Sequence, residues 1–326
     1  VDLGAGTGLV HMAPGCGPED YEIGHKNGIP PWNNLTESGY YPDDMGKFSG
    51  RHAKDDNDSF IEDLDKSGSL IAVTEVEHDY PFGQRSNKPV LFRATKQWFL
   101  KVEDLKKEMI KENDKIKWVP KAAYNAFNSW LENLRDNSIT KQRFWGTPVP
   151  IWRNVSDEND YLVIGSIEEL EKLSGKKVEK LHKPWIDEVI IKKEGKTYKR
   201  IPDVLDVWVD AGSASWNCLD YPKNKELFDK LFPADFILEG KDQIRGWFNL
   251  LMVASMIAMK KPSFKEVYMH GFVQDAQGRK MSKSLGNYIL PQEVIDKYGA
   301  DTFRYYAIGG ANPGTDLNYN DKDVKV

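Results

Sequence analysis

The spacing of apolar positions changes several times along the 326 residues, and each change predicts a different element. The first ninety-odd residues set short β-prone runs, such as Leu70 to Val76 and Val90-Leu91-Phe92, among glycines and prolines, which predicts a small β-rich or mixed domain. From Trp98 to about Leu134 the period turns helical: Leu105, Met109 and Ile110 recur at helix spacing, as do Phe127, Trp130, Leu131 and Leu134. Thr147-Pro148-Val149-Pro150 closes that region. Residues 157–200 are polar and charged, the pattern of a solvated surface insertion, with a phosphate-tracking face as the minority reading. Beyond them Val204 to Val209 predicts a strand, Asp235-Phe236-Ile237-Leu238 a second and Val267-Tyr268-Met269 a third. Helices are predicted over Asp242–Met259, apolar on most of its circumference, and near Gln292–Tyr298 and Asp301–Ala307. Strands alternating with helices predict a parallel α/β sheet, whose ligands sit beyond the carboxyl ends of the strands. Glu239-Gly240 and the loop after His270 fall on that edge.

Composition narrows the field. Forty percent of the residues are hydrophobic and ten are tryptophan, which excludes a disordered tail. A net charge of −5 argues against binding nucleic acid by bulk positive charge and leaves room for a local basic groove. Cys16 and Cys218 are the only cysteines, so a disulfide framework and a thiolate zinc knuckle both fit poorly, and a reducing cytoplasm fits well. The longest apolar stretch, Trp247 to Met259, is interrupted by Asn249 and Ser255 and falls short of the roughly 18–20 residues that span a bilayer. The chain opens at Val1 and runs straight into Gly4-Ala5-Gly6-Thr7-Gly8, which reads as the middle of a domain and makes a piece of a larger protein the expectation.

The strongest chemical signal is Gly278-Arg279-Lys280-Met281-Ser282-Lys283-Ser284. Two ammonium groups separated by small hydroxyl residues, in a loop begun by glycine, suit a clamp on a polyphosphate: lysine acts as a point charge and short side chains let the backbone approach. As a bare charge cluster such a loop is more often solvated surface. As the ordered string Lys-Met-Ser-Lys-Ser, its chance occurrence in a chain of this length is on the order of one in ten thousand.

That string is the second signature of the class I aminoacyl-tRNA synthetases, and its surroundings resemble the isoleucyl-tRNA synthetases in their archaeal and eukaryotic cytosolic form. The resemblance is carried by Gly6-Thr7-Gly8-Leu9-Val10-His11-Met12-Ala13-Pro14-Gly15, Pro18-Glu19-Asp20-Tyr21 and Arg93-Ala94-Thr95-Lys96-Gln97-Trp98-Phe99. It continues in Gln142-Arg143-Phe144-Trp145-Gly146, Pro202-Asp203-Val204-Leu205-Asp206-Val207-Trp208, the run from Leu238 to Phe248, and His270-Gly271-Phe272. The Glu239 to Trp247 run and Trp208 ahead of Asp210-Ala211-Gly212 disfavour the valine and leucine siblings.

The resemblance implies a Rossmann-like α/β catalytic domain, of which residues 201–310 are the second half. It is preceded by the C-terminal part of a β-rich editing domain (1–94), a helical connection (95–151) and the charged insertion (152–200), and followed by the start of a helical region (311–326). It implies ATP-dependent activation of isoleucine and transfer to tRNA(Ile), with hydrolytic editing of Val-tRNA(Ile), because a pocket that admits isoleucine excludes valine poorly; this amino-acid pair is the standard example of that limit. Lys280 and Lys283 would act on ATP, entering with Mg2+, with Met281, Ser282 and Ser284 completing the loop. Glu239, Gly240, Asp242 and Gln243 would hold the aminoacyl-adenylate, His270 would lie by the nucleotide, and Trp208 and Trp247 would wall the isoleucine side chain. Asp20 would bind the α-amino group of a mischarged residue and His11 would shape that pocket. Taken singly these residues have plainer readings: Asp242 a helix N-cap, the tryptophans core packing, His270 and His11 structural, Asp20 a surface carboxylate. The expected partners are tRNA(Ile), isoleucine and ATP, without membrane or DNA.

The sequence departs from the family in several places. It has no His-x-Gly-His string, the other half of the ATP site, so the isolated chain is expected to be inactive; the threonine-rich editing segment and the anticodon-binding region are missing as well. Cys16 stands where the family often has histidine. The Pro-His-Cys-Trp-Arg-Cys pattern is gone from Pro81 to Ser86, Asn137-Ser138-Ile139-Thr140-Lys141 has drifted, and the insertion lacks zinc-binding cysteines, so no structural zinc is expected. The alternative reading is a non-catalytic synthetase-like module that binds RNA or protein.

Overall fold

In the computed structural model residue 4 and residues 6–83 and 86–325 are described; Ala5 of the glycine-rich opening, Gln84-Arg85 of the drifted segment and the Ser284 side chain lie outside the described residues. The chain divides into two units, Val1–Lys96 and Gln97–Val326.

In the first unit proline fixes the first turn of α1 (Pro18–Lys26), with Glu19 and Asp20 at its amino end and His25 and Lys26 at its carboxyl end, as the helix dipole favours. The second helix, α2 (Asn57–Lys66), is tied to the preceding turn by Arg51, which donates to Asp63 at 2.7 Å and lies over the rings of Phe48 and Phe60. The expected β-rich character is not seen here. Leu70–Val76 and Val90–Phe92 form no strand, and the only β-pairings among the described residues of this unit are the isolated bridges Tyr40–His52 and Phe82–Pro89. A β-branched run makes a ladder only where another strand offers its backbone and a face to bury; Ile71, Val73 and Val76 are exposed instead.

The second unit opens with β1 (Phe99–Leu100), α3 (Lys106–Asn113), β2 (Lys117–Val119) and α4 (Lys121–Glu132). The helical pattern expected across 98–134 is thus broken by a strand. Ile116 to Val119 is a short β-prone run stopped by Pro120, and Trp118 is pulled into the core, with its indole N–H on Asn113 at 2.9 Å and Phe127, Phe248 and Phe264 around its ring. Ala123, Phe127 and Leu131 form the buried face of α4 at four-residue spacing. Two strands, β3 (Asn137–Ser138) and β4 (Thr140–Lys141), lead to the charged insertion.

That insertion is a folded module: β5 (Ile151–Asn154), β6 (Asp157–Val163), α5 (Ile167–Ser174), β7 (Ile190–Lys193) and β8 (Lys196–Arg200). Its antiparallel sheet has the order β6-β5-β8-β7 over a core that includes Trp152, Leu170, Ile186, Ile191 and Tyr198. Ser166 caps α5 by accepting from Glu169 N–H, and Gly175 ends it in the left-handed conformation.

The chain returns through β9 (Val204–Leu205), α6 (Val207–Gly212), α7 (Ala214–Asn217) and α8 (Lys225–Leu231). The strand expected over Val204–Val209 stops after two residues, because the Asp206 carboxylate accepts from Trp208 N–H at 2.8 Å and starts a helix. The sheet that positions the site then forms from β10 (Ile237–Gly240), α9 (Trp247–Met259) and β11 (Glu266–His270). All three strands are parallel, in the order β10-β11-β2, with Gly240 opposite His270 and Tyr268 opposite Val119. Apolar almost all round, α9 is buried by Phe248, Leu251, Met252, Val253 and Met256 against α3, α4 and the sheet. The chain finishes with β12 (Val273–Gln274), α10 (Pro291–Tyr298), α11 (Ala300–Gly309), β13 (Leu317–Asn318) and α12 (Asp321–Val324). These pack Val294, Tyr319 and Val324 against Met281 of the Lys-Met-Ser-Lys-Ser loop. Among the described residues no helix is long and apolar enough to cross a membrane.

Candidate active site

The carboxyl edge of the parallel sheet is built around Gly240. A Cβ there would stand 2.8 Å from Asp242 Oδ1 and 3.3 Å from His270 Cε1, so any side chain at this position would push the exposed Asp242 carboxylate aside and crowd His270. Glu239 is exposed beside it at the end of β10, and His270 ends β11 with Nδ1 2.6 Å from Gly271 O. The chain then makes a 3-10 turn, Lys241–Arg245, before α9 begins. Gln243 ties the helix start by accepting from Trp247 N–H at 2.9 Å, and its amide donates to Asp242 Oδ2 at 3.2 Å. The plainer reading of Asp242 as a helix cap therefore fails: Gln243 takes that task and the Asp242 carboxylate is left exposed at the sheet edge.

Both tryptophans expected to form a pocket flank this edge. The Trp247 indole N–H donates to Ala211 O at 3.1 Å, and Trp208 Cη2 lies 3.4 Å from where a Cβ on Gly246 would stand. Their helices approach this closely because Gly212 meets the Leu250 carbonyl, where an added Cβ would sit 2.6 Å from the oxygen. Trp208 also lines a cleft of about 440 Å3 with Lys141, Arg143, Trp145, Thr147 and Asp210.

The Lys-Met-Ser-Lys-Ser loop is held from beneath by two side chains. Asp275, a buried carboxylate, accepts from the N–H groups of Gln277 (3.0 Å) and Arg279 (2.9 Å), from Arg279 Nε (2.8 Å) and from Asn287 Nδ2 (3.0 Å). The Asn287 amide first, then the Arg279 contacts, bring its pKa down to about 2, against the pull of burial. Asn287 in turn donates to Lys280 O at 3.1 Å and accepts from Ser282 N–H at 2.9 Å, gripping the backbone on both sides of Met281. Ser282 caps the short turn Lys283–Leu285. Lys280 and Lys283 are exposed and carry no ion-pair partner among the described residues.

Asp316 joins loop and sheet edge. Its carboxylate takes Lys241 Nζ at 2.6 Å, Phe272 N–H at 2.8 Å and Gln274 Nε2 at 3.2 Å, and the Lys241 contact holds its pKa below the ordinary carboxylate value. One residue thereby connects the ends of β10 and β11 to β12, which leads into the loop. The sequence reading missed Asp275, Asn287 and Asp316 as site residues. The Asp275-Ala276-Gln277-Gly278 turn was a visible signal for the first, and nothing local marked Asp316.

The structure thus brings Gly240, Asp242 and His270 together, links Gln243 to Trp247, and seats Trp208 beside Gly246. Lys280 and Lys283 make no hydrogen bond or ion pair to that group and are related to it through Asp316 and β12. His11 and Asp20 lie in the first unit. His11 is exposed, and Asp20 Oδ2 accepts from Ala13 N–H at 3.0 Å, fastening α1 to its leading loop. Among the described residues no three His, Cys, Asp or Glu side chains gather as a metal ion would require.

Comparison with known proteins adds to this geometry. Residues 31–320 match the family of class I tRNA synthetases (I, L, M and V). The isoleucine–tRNA ligase of Thermococcus kodakarensis is 44% identical over 351 aligned residues, covering 100% of this chain and 33% of that protein. The isoleucine–tRNA ligase of Methanothermobacter marburgensis is 44% identical over 326 residues, covering 98% of this chain and 31% of that protein. The chain therefore spans about a third of the length of these relatives. Among solved structures, Mycobacterium tuberculosis methionyl-tRNA synthetase in complex with methionyl-adenylate superposes with a TM-score of 0.51 at 21% identity, over 75% of this chain and 39% of that one, a likeness of fold alone.

Proposed function

The chain belongs to the class I tRNA synthetases of the isoleucine, leucine, methionine and valine group, and from that premise we propose that it supplies one half of the active site of an isoleucine–tRNA ligase. The observation that carries the reading is the pairing of a sheet edge at Gly240 with a fixed loop whose two exposed ammonium groups have no ion-pair partner among the described residues.

In the proposed reaction an isoleucine carboxylate oxygen attacks the α-phosphorus of ATP. The new O–P bond forms as the bond to the β-phosphate bridging oxygen breaks, and pyrophosphate leaves with the negative charge. The carboxylate is already ionised, so no general base is needed, and the protein's task is to position the reactants and stabilise charge. Lys280 and Lys283 supply that charge at the phosphates, with Mg2+ entering as part of the substrate. Gly240 lets the adenylate lie against the backbone, while Glu239, Asp242 and Gln243 accept or donate hydrogen bonds along it and His270 borders the nucleotide. Trp208 and Trp247 enclose the isoleucine side chain. A tRNA(Ile) terminal hydroxyl then attacks the carbonyl carbon and AMP departs. His11 and Asp20 are assigned to hydrolysis of Val-tRNA(Ile) in the first unit, the Asp20 carboxylate taking the α-amino group.

Binding of non-hydrolysable aminoacyl-adenylate analogues to the 326-residue chain, followed by calorimetry, tests the reading. The isoleucyl analogue is expected to bind in preference to the leucyl and methionyl ones, and Trp208→Ala to erase the preference. Equal binding of all three would overturn the assignment. Because these 326 residues hold no His-x-Gly-His string, isoleucine-dependent ATP–pyrophosphate exchange by the chain alone is expected to be undetectable.

A further inference from the structure

We propose that the face formed by Phe144, Trp145, Lys180, His182, Lys183 and Trp185 binds unpaired RNA nucleotides by stacking; the proposal rests on the tRNA-ligase reading and adds where the single-stranded part of the RNA is held. All six residues lie in the second unit, on the loop before the insertion module and on the segment leading into its 3-10 turn Trp185–Glu188.

The aromatic groups on this face are exposed. Phe144 is 65%, Trp145 67% and Trp185 45% accessible, and His182 is exposed as well. Scattered exposed aromatics need no explanation, but Phe144 and Trp145 both meet the segment 180–185 that carries the exposed Trp185, through Lys183 and His182. Each has a neighbour that sets its orientation. The His182 imidazole stacks on Trp145 at 4.8 Å and 14°, Lys180 Nζ lies 4.2 Å from the centre of the Trp185 ring, and Lys183 Nζ lies 5.7 Å from that of Phe144. Lys183 is itself anchored and largely buried, donating to Pro202 O at 2.7 Å with Nζ 4.0 Å from Asp187 Oδ2, so it orients Phe144 while the exposed Lys180 is left to a phosphate. The rings are therefore oriented before a ligand arrives, which lowers the entropy lost on stacking.

The charge of the segment points the same way. Residues 172–200 hold ten lysines and arginines against four acidic residues, in a chain whose net charge is −5. Of the nearby carboxylates, Asp187 is neutralised by the buried Arg200, whose Nε donates to it at 2.7 Å, with Lys183 Nζ 4.0 Å away, and Glu188 is left exposed. Oriented rings with the exposed Lys180 beside them match alternating bases and phosphates; a duplex would present only its phosphates. From Trp145 the cleft lined by Lys141 and Arg143 leads on to Trp208. The Arg143 guanidinium has no hydrogen-bond partner among the described residues and is available to a phosphate.

Fluorescence anisotropy of a labelled, unstructured hexaribonucleotide of cytidine and adenosine, titrated with the 326-residue chain, tests the proposal. The single strand is expected to bind at least tenfold more tightly than a blunt RNA duplex of equal charge. Trp145→Ala and Trp185→Ala should each weaken it at least fivefold, while Trp145→Phe stays within twofold of the parent. Lys180→Ala should reduce the slope of log K against log salt by about 0.7. Equal binding of duplex and single strand, or an unchanged affinity in Trp145→Ala, would overturn the proposal. So would loss of self-association in Trp145→Ala with RNA binding intact, which would assign the face to a second copy of the chain. Adenylate-analogue binding, read in parallel, should be unchanged in Trp185→Ala. Its absence from the parent chain would count against the ligase reading while leaving the oligonucleotide result to stand or fall by itself.

Discussion

The two units solve the problem of an interior in opposite ways. In residues 97–326 the interior is made of side chains: Trp118, Phe127, Phe248 and Met252 close around α9 and the parallel sheet. In the first unit every buried apolar side chain is missing among the described residues, and the buried positions there are Gly15, Gly24 and Gly39. Gly15 is buried because backbone meets backbone; a Cβ on it would fall 2.0 Å from Trp32 O. Leu9, Trp32, Ile71 and Val76 stay exposed. Burial of apolar area is the main favourable term in folding, so the difference teaches that stability is concentrated in the unit carrying the sheet edge.

The comparison can be broken by substitution. Phe248→Ala, at a fully buried ring that meets Trp118 edge-on at 5.7 Å, should cost about 3–5 kcal/mol in urea unfolding, whereas Ile71→Ala should change it by less than about 0.5 kcal/mol. Similar losses at the two positions would show that the first unit has a core of its own. Gly212→Ala should cost about 1–3 kcal/mol and disturb Trp208 fluorescence, because the added methyl meets the Leu250 carbonyl on the neighbouring helix. Asn287→Ala should raise amide exchange in residues 275–287 at least tenfold and leave the global unfolding midpoint nearly unchanged, since it frees Lys280 O and Ser282 N–H in a surface loop. The smallest effect is that of pH. The Asp275 carboxylate titrates at about 2, below its ordinary 3.8, so its contribution is complete above about pH 4 and is lost as the pH falls through about 2. Asp275→Asn should remove that acid dependence from exchange in the loop and leave neutral-pH protection lower than in the parent.

Those same contrasts explain what was legible in the sequence. The α9 helix and its flanking strands were readable because a long apolar segment between two β-prone runs leaves few alternatives. The Lys-Met-Ser-Lys-Ser loop was readable because its chemistry is contiguous. The strand at Lys117–Val119 was hidden inside a helical period, and only its parallel pairing with β11, remote in sequence, makes it a strand. Val207–Val209 is helical because one local hydrogen bond, from Trp208 N–H to the Asp206 carboxylate, outweighs three β-prone residues. The runs at Leu70 and Val90 show the converse, propensity without a partner. Asp316 could not be seen because its three contacts come from residues 42 to 75 positions away, and no spacing rule reaches that far.

The β10-β11-β2 order also carries a consequence for the order in which the chain folds. Lys117 and Glu266, neighbours across the sheet with their side chains 3.0 Å apart, are separated by 149 positions. At a synthesis rate of roughly 5–20 residues per second, β2 waits on the order of ten seconds or more for its partner to emerge. Over that interval Trp118 has no sheet to enter. The insertion module closes from local contacts within residues 151–200, ahead of the sheet that flanks it. The waiting strand costs little at equilibrium, because loop-closure entropy grows only with the logarithm of length. Its cost is kinetic, as a window in which an aromatic strand on a nascent chain must be kept from other partners.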